Sequence, residues 1–222
     1  MNNFIRSLNE QDLSKYVSSQ LNSFFPDPQR IDPAYILPFV QQAMQRVFDC
    51  HRNIRKKYYL EGSNTLFNHL NSDHYAMFLY LLSNTVYRSS GEECLASKLF
   101  LLNKALHGLD AFYSISLPEV FLFVHPVGTV IGNGTFGNYF AIYQNCAVGA
   151  TPDGGYPIFG EGVLMYAKSS ALGKCKIGSN VVFGANSFVL STDIPDQSTV
   201  VGTFPDLKIR GNNLSVIDRI FR

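Results

Sequence analysis

The sequence predicts an α+β protein: an α-helical domain over residues 1–108, a coil of short parallel strands over residues 109–203, and a C-terminal tail over residues 204–222. Two observations predict it. The first is a six-residue beat: Phe159, Met165, Ala171, Ile177, Phe183 and Val189 are each six apart, and Phe136, Ile142 and Val148 keep the same step. A period of six is neither helical nor a strand alternation. It marks a short coil with three flat faces, one apolar side chain per face pointing inward. Gly137, Gly149, Gly160, Gly178 and Gly184 each follow one of these positions, which suits a tight corner whose conformation penalises a Cβ. The second observation is a three-to-four apolar spacing in the first half, the mark of amphipathic helices.

The elements follow in order. Ala34 to Cys50 carries Ile36, Phe39, Val40, Ala43, Val47 and Phe48 on one face, with Pro33 fit for a first helical turn and Asp32 as N-cap. Thr65 to Asn71 reads as another short helix. A longer pattern runs from about Ser72 to Tyr87 and is broken by Ser89-Ser90-Gly91. Glu92 to His107 resumes with Leu95, Leu99, Phe100, Leu102 and Leu106, and Gly108 caps it. Residues 109 to about 122 are transitional, with Pro118 as a stop. The coil pattern runs from near Phe123 to near Val201 and is interrupted once, by the turn-rich stretch Thr151-Pro152-Asp153-Gly154-Gly155-Tyr156-Pro157. Loops on a rigid scaffold are where binding residues concentrate.

A net charge of +1 provides no basic field for nucleic acid. Charged residues are 16% of the chain, against about 25% in ordinary domains, as expected if some surface is covered by other subunits. Cys50, Cys94, Cys146 and Cys175 form no CxxC pair, so reduced thiols and a cytoplasmic location are expected. The start has no apolar run of signal-peptide length, and no stretch reaches the roughly 18 apolar residues of a membrane span.

The coil region resembles the hexapeptide-repeat acyltransferases, and among them serine O-acetyltransferases. The family's active-site stretch, His-Ala-Thr-Gly-Val-Val-Ile-Gly, is matched by His125-Pro126-Val127-Gly128-Thr129-Val130-Ile131-Gly132. Its downstream stretch, Ile-Leu-Gln-Ser-Val-Thr-Leu-Gly-Gly, is matched by Ile142-Tyr143-Gln144-Asn145-Cys146-Ala147-Val148-Gly149-Ala150, with one residue missing between the blocks. The resemblance covers about residues 110 to 203. It implies a left-handed parallel β-helix, an exception to the usual right-handed crossover. It also implies a trimer or dimer of trimers, and acetyl-CoA as acyl donor in the groove between neighbouring coils. Gly149, Ala150, Ala167 and Ala185 would then hold the pantetheine arm through backbone amides. Lys208 and Arg210, in a tail that also carries Arg219 and Arg222, would meet the phosphates.

The resemblance makes His125 the catalytic base. The family's orienting carboxylate lies fifteen residues upstream, which is Asp110 here; Glu119 and Asp153 are the fallback candidates. His125 is the lone histidine of the coil half, since His51, His69, His74 and His107 precede it. The three-histidine zinc site of the related γ-type carbonic anhydrases therefore cannot be built, and no metal is expected. One base suffices for acyl transfer from a thioester to a hydroxyl, with a carboxylate to fix the tautomer and a corner N–H for the oxyanion.

Two departures bear on the acceptor. Val124 stands where serine acetyltransferases have an aspartate, and Gly155-Tyr156-Pro157 stands where they have Arg-His-Pro. With both charge partners missing, and Phe121, Phe123, Tyr143 and Tyr156 supplying an aromatic surround, the sequence favours a sugar or glycan hydroxyl over free serine. Val124, Tyr143 and Tyr156 are the expected acceptor contacts. The alternatives are a serine O-acetyltransferase with a rewired pocket, and an inactive scaffold that binds a partner enzyme. The family's C-terminal partner-binding signal is not evident in Ile220-Phe221-Arg222.

Overall fold

The computed structural model describes residues 3–221; Met1, Asn2 and Arg222 lie outside the described residues. Four helices form the first half. Helix α1 (Glu10–Phe24) opens on Asn9, whose side chain accepts the Asp12 N–H. Helix α2 (Pro33–His51) opens on Asp32, which accepts from Ala34 N, with Pro33 in the first turn as the sequence predicts. Helix α3 (Ser72–Ser90) is capped by Asn71 and ends at Gly91, φ 68°. Helix α4 (Glu93–His107) ends at Gly108, φ 63°. Every residue from His74 to Val86 is buried; a helix apolar all round is an interior one, and α2 and α4 pack against it.

The short helix expected over Thr65 to Asn71 is instead a strand and a turn. Asn64–Phe67 pairs parallel with Phe4–Arg6 and antiparallel with Leu60–Glu61. The cause is a period of two: Thr65 and Phe67 are buried while Asn64 and Leu66 are half-buried. A β-branched and an aromatic residue fit such a pleated surface.

The second half is a solenoid of three parallel sheets. The first face is built from Phe121–Phe123, Phe140–Ile142, Leu164–Met165, Val182–Phe183 and Ser198–Val201. The second comprises Asp110–Ala111, Val130–Ile131, Ala147–Gly149, Ser170–Leu172 and Phe188–Leu190, so the first rung enters ahead of Phe123. The third comprises Thr135–Phe136, Ile158–Phe159 and Lys176–Ile177. The nine residues of the six-residue beat are all buried and stack by face: Phe136 on Phe159 on Ile177, Ile142 on Met165 on Phe183, Val148 on Ala171 on Val189. The excursion at 151–157 lengthens one coil without disturbing the register on either side. The residue missing between the two motif blocks falls between Ile131 and Phe136, which are five apart rather than six.

The corner glycines have a different cause from the one the sequence suggests. Gly137, Gly149, Gly160, Gly178 and Gly184 are not among the positive-φ residues. For Gly137, Gly160, Gly178 and Gly184 that conformation falls two residues later, on Tyr139, Gly162, Asn180 and Asn186, and Asn145 and Lys168 hold it at the same corner as Asn186. Gly137, Gly160 and Gly178 form a column in which successive coils touch backbone to backbone. A Cβ on Gly160 would lie 2.8 Å from both Gly178 C and Ser179 N. The glycine makes room for the next coil.

The two halves are joined by buried polar contacts. Cys50 Sγ donates to Phe121 O at 3.1 Å, Tyr80 Oη donates to Ile115 O at 2.6 Å, and Leu117 N donates to Tyr80 Oη at 2.9 Å. After residue 203 the chain adds Lys208–Gly211 antiparallel to Ser198–Val201. It then returns along the solenoid to place Ile217–Phe221 against the helices, with Arg55 N donating to Ile220 O at 2.9 Å. No helix among the described residues is long and apolar enough to cross a membrane.

Two outcomes follow. Gly160→Ala should cost about 1–3 kcal/mol in urea unfolding, because backbone must move. Gly211→Ala, with open space around the added methyl, serves as the near-neutral control. Burial holds His74 down to about 4, whereas in the unfolded chain it binds a proton near 6.5. The unfolded state therefore takes up the proton first, so this stability is complete above pH 6.5 and is lost as the pH falls from 6.5 toward 4. Unfolding at pH 5 should give a smaller free energy than at pH 7.5, by up to about 1.4 kcal/mol per pH unit for this ring.

Candidate active site

The corner between the first and second faces is enlarged in its first coil. Eight residues separate Phe123 from Ile131, where six separate their stacked partners Ile142 and Val148. The extra length is the segment His125-Pro126-Val127, which stands out from the wall. His125 has φ 47°, an uncommon conformation for a residue with a Cβ, of the kind that persists only when its surroundings hold it. Its side chain is 75% exposed.

What holds it is Asp73, in the first turn of α3. One carboxylate oxygen accepts the His125 backbone N–H at 3.0 Å, and the other lies 3.6 Å from Nδ1 of the ring. Asp73 is itself fixed: its own N–H is accepted by Asn71 Oδ1 at 3.0 Å, and a carboxylate in the first turn of a helix is favoured by the dipole. The Asp73 side chain is only 14% exposed. Burial raises its carboxyl above the ordinary value, and the adjacent His125 charge pulls the other way. The element that carries it is braced by a buried ring cluster in which His74 packs on Tyr59 at 4.2 Å and on His51 at 4.9 Å. Burial lowers both imidazoles, so the cluster is neutral.

Asp110 occupies a different place. Its carboxylate is held by Lys104 Nζ at 2.6 Å, and its backbone lies on the second face beside Val130. The carboxylate that the fold sets against His125 is that of Asp73, fifty-two residues away. Between Asp110 and His125, residues 112–120 leave the regular coil and bond to the helices. Glu119 lines a separate cleft with Arg46, Arg52 and Arg88. Asp153 lines the groove described below.

The other expected residues fall into two groups. Below Val124 and His125 the same corner descends through Tyr143 and Gln144, then Tyr166 and Ala167, then Gly184 and Ala185, to Val201. Lys208 pairs with Val201 at the foot of this column, and Arg210 pairs with Thr199. Tyr143 and Tyr166 stack at 5.2 Å. At about 4.8 Å per coil, His125 and Val201 are separated by roughly 19 Å. Val124, Tyr143, Ala167, Ala185, Lys208 and Arg210 are thus brought into one strip with His125.

Gly149, Ala150 and Tyr156 are at the next corner, between the second and third faces. There the 151–157 excursion and the segment Ser114–Ser116 border a groove of about 760 Å³ lined by Asn133, Asp153, Tyr156 and Lys174. Arg219 Nη2 donates to Tyr166 Oη at 3.4 Å, and Lys56 Nζ lies 3.5 Å from Tyr143 Oη. Neither Lys56 nor Asp73 is visible as a site residue in the sequence. The available signal is weak: an Asn-Ser-Asp helix start that puts a carboxylate at an end facing the coil. Among the described residues no cluster of histidine, cysteine and acidic side chains could hold a metal ion.

No family model matches the chain. A serine acetyltransferase of Staphylococcus aureus (strain Mu50) is 32% identical over 132 residues, covering 58% of this chain and 61% of that protein. One of Staphylococcus epidermidis (strain ATCC 12228) is 33% identical over the same length. The chain thus spans about 61% of the length of these curated relatives. Among solved structures, serine acetyltransferase from Neisseria gonorrhoeae superposes with a TM-score of 0.72 at 25% identity, covering 93% of this chain and 80% of that one. The resemblance to hexapeptide-repeat acyltransferases holds in sequence and in architecture: helices first, then a solenoid of parallel strands.

The charge coupling at the corner is directly measurable. With its cationic neighbour removed in His125→Ala, the Asp73 carboxyl should titrate at higher pH than in the parent chain, as read by carbon-detected NMR of the side-chain carboxyl. An unmoved midpoint would mean that ring and carboxylate do not interact in solution.

Proposed function

We propose that this chain is an acetyl-CoA-dependent O-acetyltransferase with L-serine as acceptor and His125 as general base. The observation that carries the reading is the pairing of His125 and Asp73 on an outstanding corner, in a fold shared with serine acetyltransferases. The imidazole accepts the proton of the acceptor hydroxyl as its oxygen attacks the thioester carbonyl. Collapse of the tetrahedral intermediate breaks the C–S bond, and the imidazolium returns the proton to the departing thiolate. Asp73 faces Nδ1, which leaves Nε2 as the basic nitrogen and stabilises the ring while it is charged. Histidine in this role contributes roughly 10²–10⁴-fold.

The sugar or glycan acceptor expected from the sequence has lost its argument. It rested on missing charge partners for an amino acid, and the comparisons with known proteins favour serine. Asp73 brings to the corner a negative charge that Val124 cannot supply, and the ammonium of a small amino acid would meet it there. Tyr143 lies in the strip with Tyr166 stacked on it, and Tyr156 lies one corner away.

The strip from His125 to Lys208 would hold the donor's arm against Ala167 and Ala185, whose small side chains leave the backbone accessible, with Lys208 and Arg210 at the phosphate end. Gly149, Ala150 and Tyr156 belong to this site if a second copy sets its neighbouring corner against the first, so the reading includes a trimer. It also includes a division near residue 108 into a helical part that supplies Asp73 and a solenoid part that supplies His125.

The test is free-thiol release from acetyl-CoA with L-serine, nucleotide sugars and oligosaccharides as acceptors. Serine should be turned over, and His125→Ala should lower kcat about 10²–10⁴-fold. Asp110→Asn should leave turnover within about twofold, its carboxylate being engaged with Lys104. Turnover confined to sugars would remove serine from the reading, and full activity in His125→Ala would remove the base.

A further inference from the structure

We infer that Lys56 and Arg219 form a carboxylate-binding subsite across the stacked Tyr143–Tyr166 pair, one to two coils below His125, and that it selects acceptors bearing a free carboxylate. This rests on the serine reading above and adds to it the group that recognises the acid end of the acceptor.

The subsite comes from three separate parts of the chain. Lys56 precedes the turn Lys57–Tyr59, whose Tyr59 ring packs on His74, the residue after Asp73. Its ammonium reaches over to Tyr143 Oη at 3.5 Å, eighty-seven residues away. Arg219 lies in the returning C-terminal turn and reaches Tyr166 Oη at 3.4 Å, fifty-three residues away. The two phenol rings stack at 5.2 Å, so two cations converge on two adjacent hydroxyls. Neither cation forms an ion pair with an acidic side chain among the described residues.

Two like charges gathered on one patch repel each other unless an anion lies between them. An ammonium has three donors and a guanidinium five, and each here makes a single long side-chain bond. The remaining N–H groups can take up a carboxylate, the guanidinium in bidentate fashion, and the tyrosine hydroxyls can donate to the same oxygens. Phe123 pairs with Ile142 and Val124 N donates to Ile142 O, which sets Tyr143 one coil below Val124, so a group bound here sits below the histidine corner. Asp73 lies at that corner, against the His125 backbone N–H and ring. An α-amino acid would therefore span the site with its ammonium toward Asp73, its carboxylate toward Lys56 and Arg219, and its hydroxyl at His125.

The experiment compares L-serine with L-serinamide, which keeps the hydroxyl and the ammonium but lacks the acid. The parent enzyme should prefer serine about 10- to 100-fold in kcat/KM, the range expected for a charged hydrogen-bonded contact. In the double variant Lys56→Gln, Arg219→Gln that preference should vanish through a higher KM for serine, with KM for acetyl-CoA unchanged. Lys56→Arg, which keeps the charge, should retain it. A preference that survives the double variant overturns the subsite. So does a raised KM for acetyl-CoA with the serine to serinamide ratio intact, which would make these cations contacts of the donor phosphates. A parent enzyme that turns over serine and serinamide alike overturns the subsite and leaves the serine reading standing. No turnover of serine by the parent enzyme overturns both.

Discussion

The constraint on which the solenoid depends is that each coil must lay its backbone on the coil before it. Parallel strands stack about 4.8 Å apart, so anything at a corner meets its counterpart one coil later at that distance. From this follow the buried apolar residue at every sixth position, the glycines where two backbones close to contact, and the left-handed residues two positions further on. A corner with surplus chain can hold a side chain well clear of the wall. His125 occupies such a corner.

The helical half completes that arrangement rather than merely preceding it. Cys50, Tyr80 and Asn84 bond to the backbone of residues 113–121, and Arg55 bonds to the returning C-terminal turn. These buried contacts fix the start of α3 against the first coil. Asp73 can therefore serve at once as a cap-region carboxylate of a helix, as the acceptor for a backbone N–H in a strained conformation, and as the partner of the ring beyond it. Mechanical support and electrostatics come from one side chain, which couples the shape of the corner to its charge.

Periodicity made the solenoid legible. Side chains that must meet a copy of themselves in the next coil recur at a fixed interval, and local spacing reports this directly; the caps at Asp32 and Gly108 were legible for the same local reason. The strand at Asn64–Phe67 was not, since a four-residue alternation is too short to separate from a helical turn and its partners lie elsewhere in the chain. His125 was legible as a lone histidine in a matched motif. The Asp73 carboxylate beside it was not, since it comes from the helical half; Asp110 matches the family's offset and is paired with Lys104. Asp73, Lys56 and Arg219 reach the corner through packing between distant segments, which leaves no periodic trace.

The strand Lys208–Gly211 has a bearing on how this molecule behaves in company. A stack of parallel coils ends in an unpaired edge, and another chain could add to that edge as readily as the next coil did, with growth into fibres as the result. Here the last rung of the first face is met by a strand running the opposite way, with Lys208 and Arg210 on it, while the helices cover the other end. Reversal of direction leaves no parallel rung of the first face for an incoming coil to extend, and the two cations oppose its approach.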